Sequence, residues 1–529
     1  MTRPLASSLL VVTLTAFAAA QPGAKESAVD TTYLRTLAQT RSFQLGRPVR
    51  PAPTPDGKAV LFLRSEARSS KLSLFEFDVE TGKTRELLSP AAVLKGAEET
   101  LSPEEKAARE RMRVSVGGFT NFQLSEDGSL ILLSLSGKLY TVERPKNKVR
   151  ELPTGKGFLL DPKFSPDGKK VSYVRDNDLY FLDLATQKEH RVTTGGTELV
   201  PNAVAEFVAQ EEMGRFTGYW WAPDGERIVY QQTDHKEVEV WHVADPIHPD
   251  ATPTPFYYPR PGKNNATVKL GVTTLPSPPG RGAGGEGVGK TTWIDWNRDK
   301  YPYLATVRWS KNAPLCLTVQ SRDQHELALL DADPKTGKTT TLLTEKSPTW
   351  VNLRQEVPHW LPSGDAFLWV CEKDDAPRLE LRYRNGKFRR VVVTDDLGYQ
   401  GIVSLDDKGD ELIFAASKNP TESHVYRVHV NDPIGEPEPI TKAPGQHAAV
   451  FARNHGLSII TSKTMKSMPT SLVYGKAGKS IGELPSAAEN PKRPPVVDLL
   501  QIKAKEHSFH AAVVFPHSYD AKKKYPVIV

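Results

Sequence analysis

One turn recurs along this chain, and it limits the possible folds more than any other feature. An aromatic or apolar residue leads into a turn of Pro, Asp and Gly, and a strand-forming run follows. Clear copies are Pro53-Thr-Pro-Asp-Gly57, Leu124-Ser-Glu-Asp-Gly128, Phe164-Ser-Pro-Asp-Gly168 and Trp221-Ala-Pro-Asp-Gly225. Looser copies are Trp309-Ser-Lys-Asn-Ala313, Trp360-Leu-Pro-Ser-Gly364, Leu405-Asp-Asp-Lys-Gly409 and Phe451-Ala-Arg-Asn-His-Gly456. Pro presets φ, Asp bonds its own backbone and Gly supplies a positive φ, so the chain reverses tightly into the next strand. The usual interval of about 40–60 residues is that of a four-stranded propeller blade. Such units bury their faces only by stacking on neighbours. Eight copies therefore predict an all-β, eight-bladed β-propeller over residues 46–495, rather than unrelated hairpins in a sandwich.

A closed repeat also suits the length, because 529 residues exceed one ordinary core. The net charge of +6 is small, with both signs dispersed, so no basic stripe for nucleic acid is expected. Cys316 and Cys371 are the only cysteines, which permits one disulfide at most and no cysteine-rich zinc site. The histidines show no metal-ligand spacing. Neither a metal nor a cofactor is expected.

Arg3, the apolar run from Leu9 to Ala20 and the small residues Ala18-Ala19-Ala20 form a secretory signal pattern. The run is shorter than the roughly 20 residues of a spanning helix. Residues 1–20 are read as a signal peptide, with export to the periplasm or the extracellular space.

Three stretches interrupt the repeat. Leu101-Ser-Pro-Glu-Glu-Lys-Ala-Ala-Arg-Glu-Arg-Met-Arg113 offers a Ser N-cap, Pro at the first helical position and acidic residues in the first turn, so it predicts a short helix. Glu211 and Glu212 lie in the link between the third and fourth copies. Residues 276–289 are rich in Pro and Gly and predict a disordered loop.

Two motifs match by spacing alone. Gly284 to Thr291 fits a phosphate loop, but it lacks the buried strand before and the helix after that a working one needs, so no nucleotide is expected. Gly478-Lys-Ser480-Ile-Gly482 fits a nucleophile elbow, with Asp498, His507 and His510 following in hydrolase order. Pro485 and the absence of βα alternation make it an exposed hairpin turn. Asn265-Ala-Thr267 is a glycosylation sequon by pattern only.

Glu211-Glu212 is the most informative pair. Adjacent carboxylates repel, and burying them is costly without a cation between them. A peptide α-ammonium has three donors to share between two carboxylates. The alternative is an exposed acidic turn. Arg109, Glu110, Arg111 and Arg113 are either a solvated charged face or a source of an arginine for a carbonyl or carboxylate.

The run Glu206-Phe-Val-Ala-Gln-Glu-Glu-Met-Gly-Arg-Phe-Thr-Gly-Tyr-Trp-Trp-Ala-Pro-Asp-Gly225 closely resembles the double-glutamate segment of bacterial dipeptidyl peptidase IV enzymes. These are members of the prolyl oligopeptidase superfamily of serine peptidases. Asp245-Pro-Ile-His-Pro, Tyr257-Tyr-Pro-Arg-Pro-Gly-Lys, Asn265-Ala-Thr-Val-Lys-Leu-Gly and the helix from Leu101 carry the same likeness. It is dense over residues 160–272 and thin after residue 375. Gly214 stands where the family usually has an acidic residue before the arginine.

The resemblance implies an eight-bladed propeller coupled to an α/β-hydrolase domain. It implies that Glu211 and Glu212 hold the substrate ammonium, so that two residues are removed, typically after Pro or Ala. Arg109 or Arg111 would contact the substrate backbone. Residues 21–45 would pack on the hydrolase domain, with a short helix from Thr31, and residues 496–529 would begin that domain, truncated. The oxyanion Tyr and the Ser, Asp and His of the family would lie beyond Val529, so no catalytic residue is assigned and the chain alone would not cleave. The expected partners are peptide N-termini and the hydrolase domain, and a homodimer is left open. A non-catalytic propeller that binds peptide N-termini or a protein is the alternative, and a scaffold in which the glutamates are purely structural is a third. Without the hydrolase body, apolar surface is expected to be exposed near Phe515 and Tyr525.

Overall fold

Each of the eight turns joins the first two strands of a separate sheet. In the computed structural model, which describes residues 31–276, 289–373, 376–432, 435–492 and 494–528, these sheets are the blades of a propeller. Blades 1 to 8 span residues 49–88, 122–151, 160–191, 219–293, 303–346, 359–393, 399–439 and 446–483. Each has four antiparallel strands in sequence order, and blade 1 gains a short parallel strand, Gly117–Gly118. Blade 4 departs from the plain meander. A separate hairpin, Val240–Val243 with Thr254–Tyr257, is inserted between its second and third strands.

The turn chemistry works as the residue types require. In blade 2, Asp127 Oδ1 accepts the Ser129 N–H at 3.0 Å and the Ser125 hydroxyl at 2.6 Å. Those donors hold the Asp127 carboxyl below its ordinary range. Gly128 has φ +70°, and it is glycine for a second reason: a Cβ there would lie 2.6 Å from Pro55 Cδ of the blade 1 turn. Gly409 meets Pro362 of the blade 6 turn in the same way, at 2.7 Å. Successive turns thus touch and form a rim. Asn312 and His455 hold the left-handed position in the loosest copies, at φ 66° and 51°.

The inner strands are more buried than an alternating pattern predicts. Every residue of Leu315–Gln320 is buried, and so are five of six in Ala59–Arg64. Both faces of such a strand meet a neighbouring blade, so apolar side chains line both. The core is accordingly a series of layers between blades. One joins Cys316, Leu327 and Leu329 of blade 5 to Phe367, Leu379 and Leu381 of blade 6. Cys316 and Cys371 are both buried in this layer and are not joined by a disulfide.

The ring closes between blades 8 and 1. Val60, Phe62, Phe75 and Phe77 pack against Leu457, Ile459, Val473 and Leu484. Arg64 donates to the Pro485 carbonyl at 2.9 Å and stacks 4.2 Å over Phe75. The Ala487 N–H donates to the Gly46 carbonyl at 2.8 Å, so the chain ends of the ring are sewn together by backbone.

The helix expected from Thr31 is present as Thr31–Gln39 and buries no residue. Phe43 and Leu45 just after it are buried. Residues 496–515 form a hairpin, Val496–Ala504 with His507–Phe515. Its exposed apolar side chains include Leu499, Leu500, Ile502, Phe509 and Val514. The exposure expected near Phe515 and Tyr525 is present, on Val514 beside the first and on Val527 and Ile528 beside the second. Phe515 and Tyr525 are only half-exposed, because each packs on Tyr519, at ring separations of 4.5 and 5.4 Å. Among the described residues no helix is long and apolar enough to cross a membrane. Residues 1–30, with the signal pattern, and most of the 276–289 loop lie outside the described residues.

Candidate functional site

The double-glutamate segment folds into a short helix, Phe207–Glu211, on the link between blades 3 and 4. Glu206 is its N-cap: its carboxylate accepts the N–H of Val208 at 2.6 Å and of Ala209 at 2.9 Å. Two of the orphan donors at the helix start are thereby satisfied. Glu206 is buried, and burial raises its carboxyl above the usual range, against the pull of Arg215 and the two N–H groups.

Arg215 fixes the other end of the segment. It is 4% exposed and donates to the Leu304 carbonyl at 3.1 Å, the Thr217 carbonyl at 2.8 Å and Gln231 Oε1 at 2.7 Å. Burial lowers its pKa to about 10, and Glu206 opposes that shift. Gln355 Nε2 donates to the Met213 carbonyl at 2.6 Å, adding a clamp from the link between blades 5 and 6. Between these fixed points Glu211 and Glu212 are both exposed, side by side. Their surroundings hold the backbone and leave the carboxylates to solvent.

The arginines of the helix Pro103–Arg111 divide sharply. The Ser102 hydroxyl accepts the Glu105 N–H at 3.2 Å and caps this helix, as its sequence predicts. Arg109 is 8% exposed and is committed to its own segment, with ion pairs to Glu99 at 2.7 Å and Glu105 at 2.9 Å. Arg111 instead reaches the double-glutamate helix. Its Nη1 donates to Gln210 Oε1 at 3.4 Å, and its guanidinium lies 5.4 Å over the Phe256 ring. Burial pulls the Arg111 pKa down, and the negative charges of Glu211 and Glu110 oppose this. The structure brings Arg111 to Gln210 and Glu211 of the double-glutamate segment, and leaves Arg109 out.

The inserted hairpin supplies Phe256, which motif reading did not single out, and Tyr258, which lies in the Tyr257-Tyr-Pro-Arg stretch of the family likeness. Phe207 packs edge-on against Phe256 and Tyr258, at 5.8 and 5.0 Å. The signal available was the aromatic spacing Phe256-Tyr257-Tyr258 beside a glutamate motif, but nothing in the chain order says that these segments meet.

The other candidates separate from this site. Ser480 is exposed and starts an outer strand of blade 8 after a hairpin turn, whereas Asp498, His507 and His510 lie on the 496–515 hairpin. Residues 284–288 of the phosphate-loop pattern lie outside the described residues, and Thr291–Trp293 is a blade strand. Among the described residues no cluster of His, Cys, Asp or Glu could hold a metal ion.

Residues 125–469 match the family described as the Dipeptidyl peptidase IV (DPP IV) N-terminal region. The chain belongs to this family. Within the DPP IV-like relatives, it is 29% identical to human Dipeptidyl peptidase 8 over 203 residues, which is 33% of this chain and 22% of the relative. It is 24% identical to cat Dipeptidyl peptidase 4 over 344 residues, 59% of this chain and 44% of the relative. The matched part is thus less than half the length of either relative. In fold, the chain resembles the crystal structure of Porphyromonas gingivalis dipeptidyl peptidase 4, with a TM-score of 0.73 at 20% identity, over 94% of this chain and 68% of the other. The match to the DPP IV N-terminal region runs from blade 2 into blade 8 of the propeller.

Proposed function

We propose that this DPP IV-type propeller recognises the N-terminus of a peptide and acts as the substrate-selecting and gating region of an exported dipeptidyl peptidase-like serine exopeptidase. The observation that carries this reading is the Glu211–Glu212 pair, exposed on a segment whose backbone is pinned by Glu206, Arg215 and Gln355. Two carboxylates on a fixed frame suit one α-ammonium, whose three donors they divide in charge-assisted hydrogen bonds. Fixing the ammonium sets the register, so that a scissile bond two residues on would be presented to a hydrolase domain. Arg111, at the same edge, supplies donors for a peptide carbonyl, and it takes the role that the family likeness left open between two arginines.

The chemistry of cleavage needs an activated nucleophile, a base and oxyanion donors. In this reading a hydrolase domain supplies them, and the exposed apolar hairpin 496–515 belongs with it. The signal pattern of residues 1–20 supports export.

Replacing Glu211→Gln together with Glu212→Gln tests the reading. Charge-assisted hydrogen bonds contribute roughly 1.5–3 kcal/mol each, so the double variant should bind a proline-containing tripeptide with a free α-amino group at least tenfold more weakly. Unchanged affinity in the double variant would remove the glutamates from substrate recognition.

A further inference from the structure

The inserted hairpin of blade 4 does more than decorate the ring. Phe256 stands between two elements that the recognition site depends on. One of its contacts is the Arg111 guanidinium, 5.4 Å from the ring centre. Another is the ring of Phe207, the first residue of the double-glutamate helix, 5.8 Å away with the planes at 80°. A single half-buried aromatic side chain thus touches the arginine from the helix before blade 2 and the glutamate helix before blade 4.

The hairpin end that bears Phe256 is itself braced. Tyr258 packs on Phe207 at 5.0 Å and on Trp241 at 5.9 Å. Arg260 lies 5.3 Å over Trp241 and holds Glu239 through two hydrogen bonds, at 2.6 and 2.9 Å. His235 stacks on Tyr257 at 4.9 Å. This gives Phe256 a fixed seat on an element that makes no strand pairing with the blade sheet.

Arg111 needs such a seat. Its one hydrogen bond to the glutamate helix, to Gln210, is long at 3.4 Å, and an arginine side chain has many rotamers to lose. The face of an aromatic ring attracts a guanidinium without consuming its N–H donors. The donors therefore stay available for a ligand while the plane of the group is set.

We infer that Phe256 is a positioning residue for peptide recognition, orienting Arg111 beside Glu211 and coupling the blade 4 hairpin to the recognition site. The inference rests on the N-terminus-binding reading above. It predicts that the hairpin influences affinity for peptides although Phe256 itself makes no contact with the substrate.

The test is a double-mutant cycle on the full chain, with a free-amino tripeptide of Ala-Pro-Ala type as the probe. Phe256→Leu keeps an apolar side chain against Phe207 and removes the ring face. It should weaken binding about three- to tenfold, and Phe256→Tyr should restore it. In an Arg111→Ala background, Phe256→Leu should add less than a twofold loss, because its effect runs through Arg111. Equal losses from Phe256→Leu with and without Arg111 would overturn the inference, since a purely structural role adds independently. Unchanged binding in Phe256→Leu would also overturn it. In both of those cases the glutamate clamp stands if Glu211→Gln with Glu212→Gln still loses the peptide. If that glutamate variant binds normally, the recognition reading falls and the Phe256 inference falls with it.

Discussion

Arg111 donates to Gln210 at 3.4 Å, whereas Arg109, two residues earlier on the same helix, turns away into Glu99 and Glu105. At 3.6 residues per turn, residues two apart on a helix point to nearly opposite sides. One arginine therefore ties its own segment together and the other faces the double-glutamate helix.

That division separates their variants. Arg109→Ala would leave Glu99 and Glu105 buried without their cation, a change that typically costs about 3–5 kcal/mol. A marked fall in melting temperature is expected. Arg111→Ala breaks no buried ion pair, so it should leave the melting temperature within a few degrees and weaken peptide binding. The reverse assignment would show as a stable Arg109→Ala variant with lost binding.

Glu206 is expected to matter through the backbone. Glu206→Ala removes the carboxylate that caps Val208 and Ala209, and loss of an N-cap costs about 0.5–2 kcal/mol. Amide exchange at Val208 and Ala209 should speed up, and peptide affinity should fall although Glu211 and Glu212 are intact. Undisturbed exchange at both amides would show that the cap is dispensable.

Ring closure has a single-residue test. Gly46 has φ +83°, and a Cβ there would lie 2.6 Å from the Ala488 backbone nitrogen. The atoms it would meet, Ala488 N and Cα and Ala487 C, are all backbone and cannot swing aside. Gly46→Ala is expected to destabilise by roughly 1–3 kcal/mol and to open residues 485–490 to protease. A variant as stable and as resistant as the parent would mean that closure does not depend on this crossing.

Acid should loosen the ring through His359. Burial, helped by the nearby Arg308 charge, lowers its pKa to about 4, from an ordinary 6.5. The folded state then prefers the neutral ring. Its contribution is complete above pH 6.5 and is lost as pH falls toward 4, because the unfolded chain takes up the proton first. The loss is about 2 kcal/mol at pH 5. His359→Gln should flatten the fall in melting temperature between pH 7.5 and 5. An unchanged slope would assign the acid limb to other groups.

The propeller was legible in the sequence because its determinants are local. Asp127, Gly128 and their counterparts act within five residues, and the eighth copy survives with His455 at the positive φ. The second constraint on Gly128, the approach of Pro55 from the preceding blade, could not be read, because it appears only once the ring is assembled. The same limit applies at the site. Glu211 and Glu212 were visible as a pair, and Arg109 and Arg111 as a charged run. Which arginine meets the glutamates depends on how the helix Pro103–Arg111 lies against a segment about a hundred residues further on. Phe256 was hidden for the same reason: its hairpin reaches the glutamate helix through space, with no periodicity in the chain to announce it.

The central claim is that Glu211 and Glu212 hold a peptide ammonium, and one comparison addresses it most directly. The unaltered protein is titrated calorimetrically at pH 7 with a tripeptide of Ala-Pro-Ala type and with its N-acetylated twin. Acetylation removes the positive charge and leaves the rest of the ligand in place. The free-amino peptide should bind at least tenfold more tightly, and the difference should vanish when both glutamates are glutamine. Equal binding of the two peptides would contradict the claim.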